Sequence, residues 1–270
     1  MCELFAMSAK VPSTVSLSLE EFSKHGGLTG HHKDGWGVAW YDSGDLHLRK
    51  EPFAAAHSDA MQVVLANAFN CNVALSHIRK ATQGEIATRN CQPFIRELGG
   101  HWHAFIHNGN LIDIRNALRF QGACFHSVGE TDSEYAFCAL LTRLREVWSA
   151  SRIPPLGERL TVIQRFAAKL RELGPANFLY SDGDALFAHG HKRMQSDGHI
   201  SAPGLWRLQR HCTEGGIYSG QGLSIEAKGV DQDVVLFASV PLSPESWTPM
   251  MEGEVLVSRN GKLVTPMVLT

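Results

Sequence analysis

The sequence predicts an α+β fold in which extended antiparallel sheets carry helices on their outer faces. Short apolar segments fill both ends of the 270-residue chain, and the better helical segments lie between them. Turn residues set several neighbouring segments up as hairpins, which makes the sheets antiparallel.

CELFAMSA reads as the first strand. WGVAWY and LHLRK flank Asp42-Ser43-Gly44-Asp45 and form a hairpin. The periodicity places a helix over Met61 to Phe69. VALSHIR alternates, so Val73, Leu75, His77 and Arg79 share one face. WHAFIH is a strand that runs into Asn108-Gly109. The clearest helix starts at Thr131-Asp132-Ser133-Glu134, a capping box in which Thr131 caps and Glu134 reaches back. Phe137, Leu141, Leu144 and Trp148 follow at helical spacing. Leu160, Ile163, Phe166, Leu170 and Leu173 mark another helix, stopped by Gly174-Pro175. NFLYS and ALFAHG flank Ser181-Asp182-Gly183-Asp184. VVLFASV is apolar on both faces, as a strand covered from both sides would be. EVLVS and KLVTP flank Asn260-Gly261, the strongest hairpin dipeptide in the chain. Pro154-Pro155 and Gly190 to Gly204 read as loops. No domain boundary stands out.

Apolar residues make up 44% and charged residues 19%, which predicts a packed core rather than disorder. The net charge of −2 gives no basic footprint for nucleic acid or a membrane surface. No apolar run is long enough to span a bilayer, and no secretory signal opens the chain. Six cysteines, at 2, 71, 91, 124, 138 and 212, form no CxxC pair. Five of them suit buried reduced thiols in a cytoplasmic protein. His31-His32 and His189-Gly190-His191 fit hydrogen-bonded or surface histidines better than metal ligands, so no metal is expected.

Chemistry begins at MCELF. Methionine aminopeptidase removes Met1 when the next side chain is small, and cysteine qualifies. The product would carry a thiol and an α-amine on one residue. An α-amine has a pKa of about 7.7–8. It can therefore accept the thiol proton near neutral pH, so one residue supplies nucleophile and base. By position alone, the plainer reading of Cys2 is an ordinary second residue.

Four other stretches supply complementary groups. SHIRKAT ends a strand at Arg79, whose planar fork can grip a carboxylate. HNGNL offers the Asn108 amide and turn N–H groups to an oxyanion. GETDSE places Asp132 at the first turn of a helix, where it can hold an ammonium group or simply favour the dipole. HKDGWGVAWY carries Asp34-Gly35-Trp36-Gly37, a tight turn whose plainer role is to begin a strand. Each stretch alone fits a structural role. Together they describe a thiolate, an oxyanion hole, a cation for a carboxylate and an anion for an ammonium. A substrate with one amide, one α-carboxylate and one α-ammonium is an amino acid amide, glutamine or asparagine.

MCELF, HKDGWGVAWY, SHIRKAT, NCQPF, FIHNGNL, ETDSEYAF, NFLYSDG and ASVPL with Trp247 after it resemble, in order, the class II glutamine amidotransferases of the N-terminal nucleophile hydrolase superfamily. The closer likeness is to stand-alone bacterial amidotransferase-like proteins. The resemblance implies a four-layer αββα sandwich and one glutaminase-sized domain over residues 1–270, with Met1 removed in the active form. It carries Cys2 over as nucleophile, and Asn108 and Gly109 as oxyanion hole. Arg79 becomes the α-carboxylate ligand, Asp132 and Gly109 the α-amino ligands, and Thr82 a weaker substrate contact. No cofactor enters this scheme. Lys80 departs from the tryptophan that often follows the arginine. Cys91-Gln92 departs from a histidine that often precedes the proline, a change expected in loop packing more than in chemistry. The larger relatives append a synthase domain that uses the released ammonia; here a separate partner synthase is one possible acceptor. Two alternatives keep the fold: hydrolysis of another γ-glutamyl compound, and a non-catalytic binding subunit.

Overall fold

Alternating strands and tight turns resolve into two antiparallel sheets stacked face to face. The computed structural model describes residues 1–14, 16–67, 69–119, 124–150, 152–212, 217–220, 223–226 and 231–265. One sheet is built from β1 (Glu3–Thr14), β2 (Trp36–Asp42), β3 (Asp45–Glu51), β4 (Asn70–Ile78), β11 (Trp206–Cys212), β14 (Gln232–Ala238) and β15 (Thr248–Pro249), in the order β15-β11-β14-β1-β4-β2-β3. The other takes β5 (Phe94–Leu98), β6 (His101–Gly109), β7 (Ala176–Ser181), β8 (Leu186–His189), β16 (Val255–Arg259) and β17 (Lys262–Val264), in the order β17-β16-β8-β7-β6-β5. Two short hairpins pair β9 (Arg193–Met194) with β10 (Ile200–Ser201) and β12 (Ile217–Gly220) with β13 (Leu223–Glu226). The helices are α1 (Ser16–Lys24), α2 (Asp59–Ala66), α3 (Ile114–Ala117), α4 (Asp132–Leu144) and α5 (Leu156–Arg171).

The period-two side-chain pattern decides the layers. In β14, Val234, Leu236 and Ala238 join Phe22 of α1 and Met61 and Val64 of α2 in one core. Val235 and Phe237 face the opposite way and meet Ala104, Ile106, Leu179 and Ala188 of the second sheet. That sheet turns Phe105, Phe178 and Phe187 outward onto Phe137, Leu141, Ile163 and Phe166 of α4 and α5. The result is helices, sheet, sheet, helices: the αββα sandwich. Asn260 and Gly261 adopt φ of 51° and 71°, the paired positive values that a tight two-residue hairpin requires.

Several elements differ from the sequence reading. β5 and α1 carry weak patterns: β5 is an edge strand buried only at its ends, and α1 anchors through Leu19 and Phe22. The Gly190–Gly204 stretch contains the β9–β10 hairpin. Thr131 caps α4 by accepting the Glu134 N–H at 3.2 Å, but Glu134 does not complete the box. Its carboxylate accepts from Val128 and Gly129 N–H at 3.1 and 2.7 Å and pairs with Arg96 at 2.6 Å. Two N–H donors plus a guanidinium satisfy a buried carboxylate better than one capped N–H. Cys71, Cys91 and Cys138 are buried free thiols, whereas Cys124 is exposed; the Cys212 side chain lies outside the description. Among the described residues no helix is long and apolar enough to cross a membrane.

The turn between β7 and β8 is fixed by charge. Arg159 of α5, 2% exposed, donates to Asp182 at 2.6 Å and to Asp184 at 2.7 Å. Asp182 is fully buried. Arg159→Ala leaves that carboxylate without its cation and is expected to destabilise the protein by roughly 3–5 kcal/mol in a denaturant titration. Arg159→Ala combined with Asp182→Asn is expected to recover part of that loss.

Candidate active site

The start of the chain is brought to the middle of the sandwich by strand register. β1 pairs antiparallel with β4, with Glu3 opposite Ile78. Residues just before β1 therefore lie beside those just after β4: Cys2 meets Arg79 and Lys80. The Lys80 N–H donates to Cys2 Sγ at 3.3 Å, and the thiol donates to the Lys80 carbonyl at 3.4 Å. From the second sheet, the Asn108 side-chain amide donates to the Cys2 carbonyl. The sulfur thus sits where the C-terminal ends of β4 and β6 converge.

Asn108 and Gly109 end β6, opposite Asn177 and Ala176 of β7. Asn108 is fully buried, and its Oδ1 has no partner among the described residues. A side chain at 109 would collide with the Pro175 carbonyl, so close strand approach demands glycine there. Asn177 secures this end by donating to the Asn108 carbonyl at 3.2 Å. Gln92 secures it from the other side: its Oε1 accepts from His107 N–H at 2.6 Å and its Nε2 donates to the His107 carbonyl at 3.1 Å. The glutamine of NCQPF therefore acts like an extra peptide unit beside β6, immediately before Asn108.

Asp132 starts α4 and is 8% exposed. Its Oδ2 accepts from Leu111 N–H at 2.8 Å, which ties the segment after Gly109 to the helix. Its Oδ1 accepts from Ser133 N–H at 2.8 Å, and the Ser133 hydroxyl is paired with His107 Nδ1 at 2.9 Å. A cavity of about 390 Å³ opens beside Asp132, lined also by Gln83, Asn110, Ile112, Arg115 and Glu130. Across it, Gln83 Nε2 donates to Asn110 Oδ1 at 2.6 Å.

Arg79 is 3% exposed, and main-chain carbonyls occupy its fork. One terminal nitrogen donates to Glu85 O at 3.0 Å and Asp34 O at 3.4 Å; the other donates to Gln83 O at 2.9 Å and Gly84 O at 3.2 Å. The guanidinium holds the loop after β4 in place. Thr82 lies exposed in that loop.

Burial pushes the Cys2 thiol above its ordinary pKa. The Lys80 N–H, the N-terminal charge and Arg79 act in the opposite direction, while Asp132 adds to the rise. Burial lowers the pKa of the N-terminal amine, carried here by Met1, which favours its neutral form. His32 Nε2 donates to the Met1 carbonyl at 2.6 Å. His77 is fully buried between the sheets with neither ring nitrogen paired among the described residues, and burial holds it well below the ordinary histidine range, hence neutral.

Of the residues singled out in the sequence, Cys2 lies against Asn108 and against Lys80, the residue after Arg79, while Asp132 is tied through Leu111 to the segment after Gly109. Gln92, Ser133 and Asp34 are further members that motif roles did not single out. Their contacts are largely to main chain, which side-chain motifs do not announce. Among the described residues no group of His, Cys, Asp and Glu could hold a metal ion.

Residues 1–269 match the family model described as glutamine amidotransferases class-II. A predicted glutamine amidotransferase from Pseudomonas aeruginosa PA01, of known crystal structure, is similar at 31% identity and a TM-score of 0.70, covering 98% of this chain and 100% of that one. YafJ of Escherichia coli K12 is 32% identical over 260 residues, 94% of this chain and 96% of its own. The glutamine phosphoribosylpyrophosphate amidotransferase of B. subtilis shares the fold at 16% identity and a TM-score of 0.59; the match spans 97% of this chain and 48% of that enzyme.

Proposed function

Because the chain belongs to the class-II glutamine amidotransferases, we propose that it hydrolyses the side-chain amide of glutamine to glutamate and ammonia through a thioester on Cys2. Removal of Met1 frees the Cys2 α-amine, which takes the thiol proton. The thiolate attacks the side-chain carbonyl carbon, and Asn108 with the Gly109 main chain stabilises the oxyanion. The α-ammonium returns its proton to the amide nitrogen as the C–N bond breaks and ammonia leaves. Water, deprotonated by the same amine, then cleaves the γ-glutamyl thioester and restores the thiol. Ammonia passes to solvent or to a partner synthase in the cytoplasm.

Asp132 and Gly109 take the α-amino group in this scheme, and Arg79 takes the α-carboxylate, with Thr82 beside it. A carboxylate would replace some of the loop carbonyls now held by the Arg79 fork. Arg79→Lys keeps the charge and loses the fork. It is expected to raise KM for glutamine by about 10- to 100-fold, the cost of one charge-assisted hydrogen bond, with a smaller change in kcat. Steady-state ammonia release checks this.

The single observation that carries the reading is a sulfur held by Lys80 main-chain groups while the Asn108 amide reaches the carbonyl of the same cysteine. The test is turnover by Met1-free protein of glutamine, asparagine and γ-glutamyl peptides in parallel. Glutamine is expected to be the substrate that releases ammonia. Cleavage of γ-glutamyl peptides alone would move the assignment to a γ-glutamyl amide hydrolase. No turnover of any of them would make the protein a binding subunit.

A further inference from the structure

We infer that Asp34 is the positioning residue that sets the Lys80 peptide against the Cys2 sulfur. The inference deepens the proposed glutaminase site and rests on that reading for its turnover measurement only. Asp34 clamps the chain on both sides of Lys80. Its own N–H donates to the Arg79 carbonyl at 3.1 Å, and its carboxylate Oδ2 accepts from the Ala81 N–H at 2.7 Å. The next residue adds a third point, since the Arg79 N–H donates to the Gly35 carbonyl at 2.7 Å. Lys80 lies between these anchors and presents its N–H and its carbonyl to Cys2 Sγ at 3.3 and 3.4 Å.

Such a pair of main-chain groups suits both states of the nucleophile. A thiol donates to the carbonyl; a thiolate accepts from the N–H. Shifting this peptide would weaken both contacts. The clamp itself is rigidly placed. Gly35 has φ of 137°, and a side chain there would strike Cys91 Sγ and the Glu51 carbonyl. The HKDGWG turn thus does more than begin a strand. The Lys80 side chain takes no part in these sulfur contacts. Lysine in place of the family's frequent tryptophan therefore leaves the sulfur's main-chain partners as they are.

Among the described residues, charged and titratable groups around the sulfur include the N-terminal amine, Arg79, Asp132 and Cys91. Asp34 works as a hydrogen-bond acceptor at a fixed point, so asparagine can replace it and a longer carboxylate cannot. The test compares Asp34→Ala, Asp34→Asn and Asp34→Glu in full-length, Met1-free protein. Three quantities are measured: kcat and KM for glutamine, the pH dependence of Cys2 alkylation by iodoacetamide, and the thermal melt. Asp34→Ala is expected to lower kcat by about 100-fold, as misplacement of a reacting group does, with little change in KM. Its alkylation midpoint is expected to move to higher pH. Asp34→Asn is expected to restore both, and Asp34→Glu is expected to behave like Asp34→Ala. An unshifted midpoint in folded Asp34→Ala, or an Asp34→Asn as impaired as Asp34→Ala, would overturn the assignment. Should Asp34→Ala fail to fold, the other two decide: asparagine impaired and glutamate normal overturns it, and the opposite supports it. If wild-type protein turns over no glutamine yet alkylation follows the expected pattern, the glutaminase reading fails and the role of Asp34 stands.

Discussion

Cys2→Ala will reduce glutamine turnover to the uncatalysed background and leave the protein folded. The sulfur's partners are the N–H and carbonyl of Lys80. Those groups stay anchored by Asp34 and Gly35 when the sulfur is removed. The core does not depend on the thiol, because β1 is secured from Glu3 onward by β4 and by β14. Loss of activity with an unchanged melt therefore separates a chemical role from a structural one. Cys2→Ser probes the same point more finely. A hydroxyl is a poorer nucleophile near neutral pH, so serine in the same place is expected to be nearly as inactive as alanine. Ammonia release, read beside the thermal melt of both variants, checks this.

Asn108→Ala is expected to lower kcat by about 10²–10³-fold, the usual consequence of deleting one oxyanion donor, or about 2.7–4 kcal/mol of transition-state stabilisation. KM should change far less, since the ground-state amide oxygen carries little charge. Asn108 also donates to the Cys2 carbonyl, so its loss loosens the nucleophile as well. Its main chain remains tied to Asn177 of β7. The truncation leaves a small void between the sheets, and a drop in stability of a few kcal/mol is the expected side effect. Single-turnover measurement of thioester formation isolates the chemical loss: a kcat effect without a matching change in binding identifies an oxyanion donor, and a pure KM effect would not.

Hairpin chemistry and alternation made most of the fold legible. Asn260-Gly261 forms its positive-φ turn. The two-faced apolar pattern of β14 became a strand with a helical core on one side and the second sheet on the other. Thr131 announced the start of α4. What escaped has physical causes. β5 buries only Phe94 and Leu98, so its pattern is too sparse to read, and pairing along β6 supplies the rest. Glu134 obeyed a stronger local field than the cap, because Arg96 arrives from a strand far away in sequence.

The site was legible as residue types more than as contacts. Cys2, Arg79, Asn108, Gly109 and Asp132 stood out because each carries a group that amide chemistry uses. Their mutual arrangement depends on register: Glu3 opposite Ile78 places Cys2 by Arg79. Gln92 and Asp34 could not be read the same way. Gln92 grips both main-chain groups of His107, and Asp34 grips the main chain of Arg79 and Ala81. Such contacts exist only once distant segments are side by side. The fork of Arg79 holds the carbonyls of its own following loop, as a buried guanidinium seeking acceptors does.

The most direct measurement is intact mass before and after treatment with a glutamine-analogue diazoketone, followed by peptide mapping. A chain lacking Met1 that gains a single adduct, on the Cys2 sulfur, is the expected result. An adduct on any other residue, or an inert Cys2 in Met1-free protein, would contradict it.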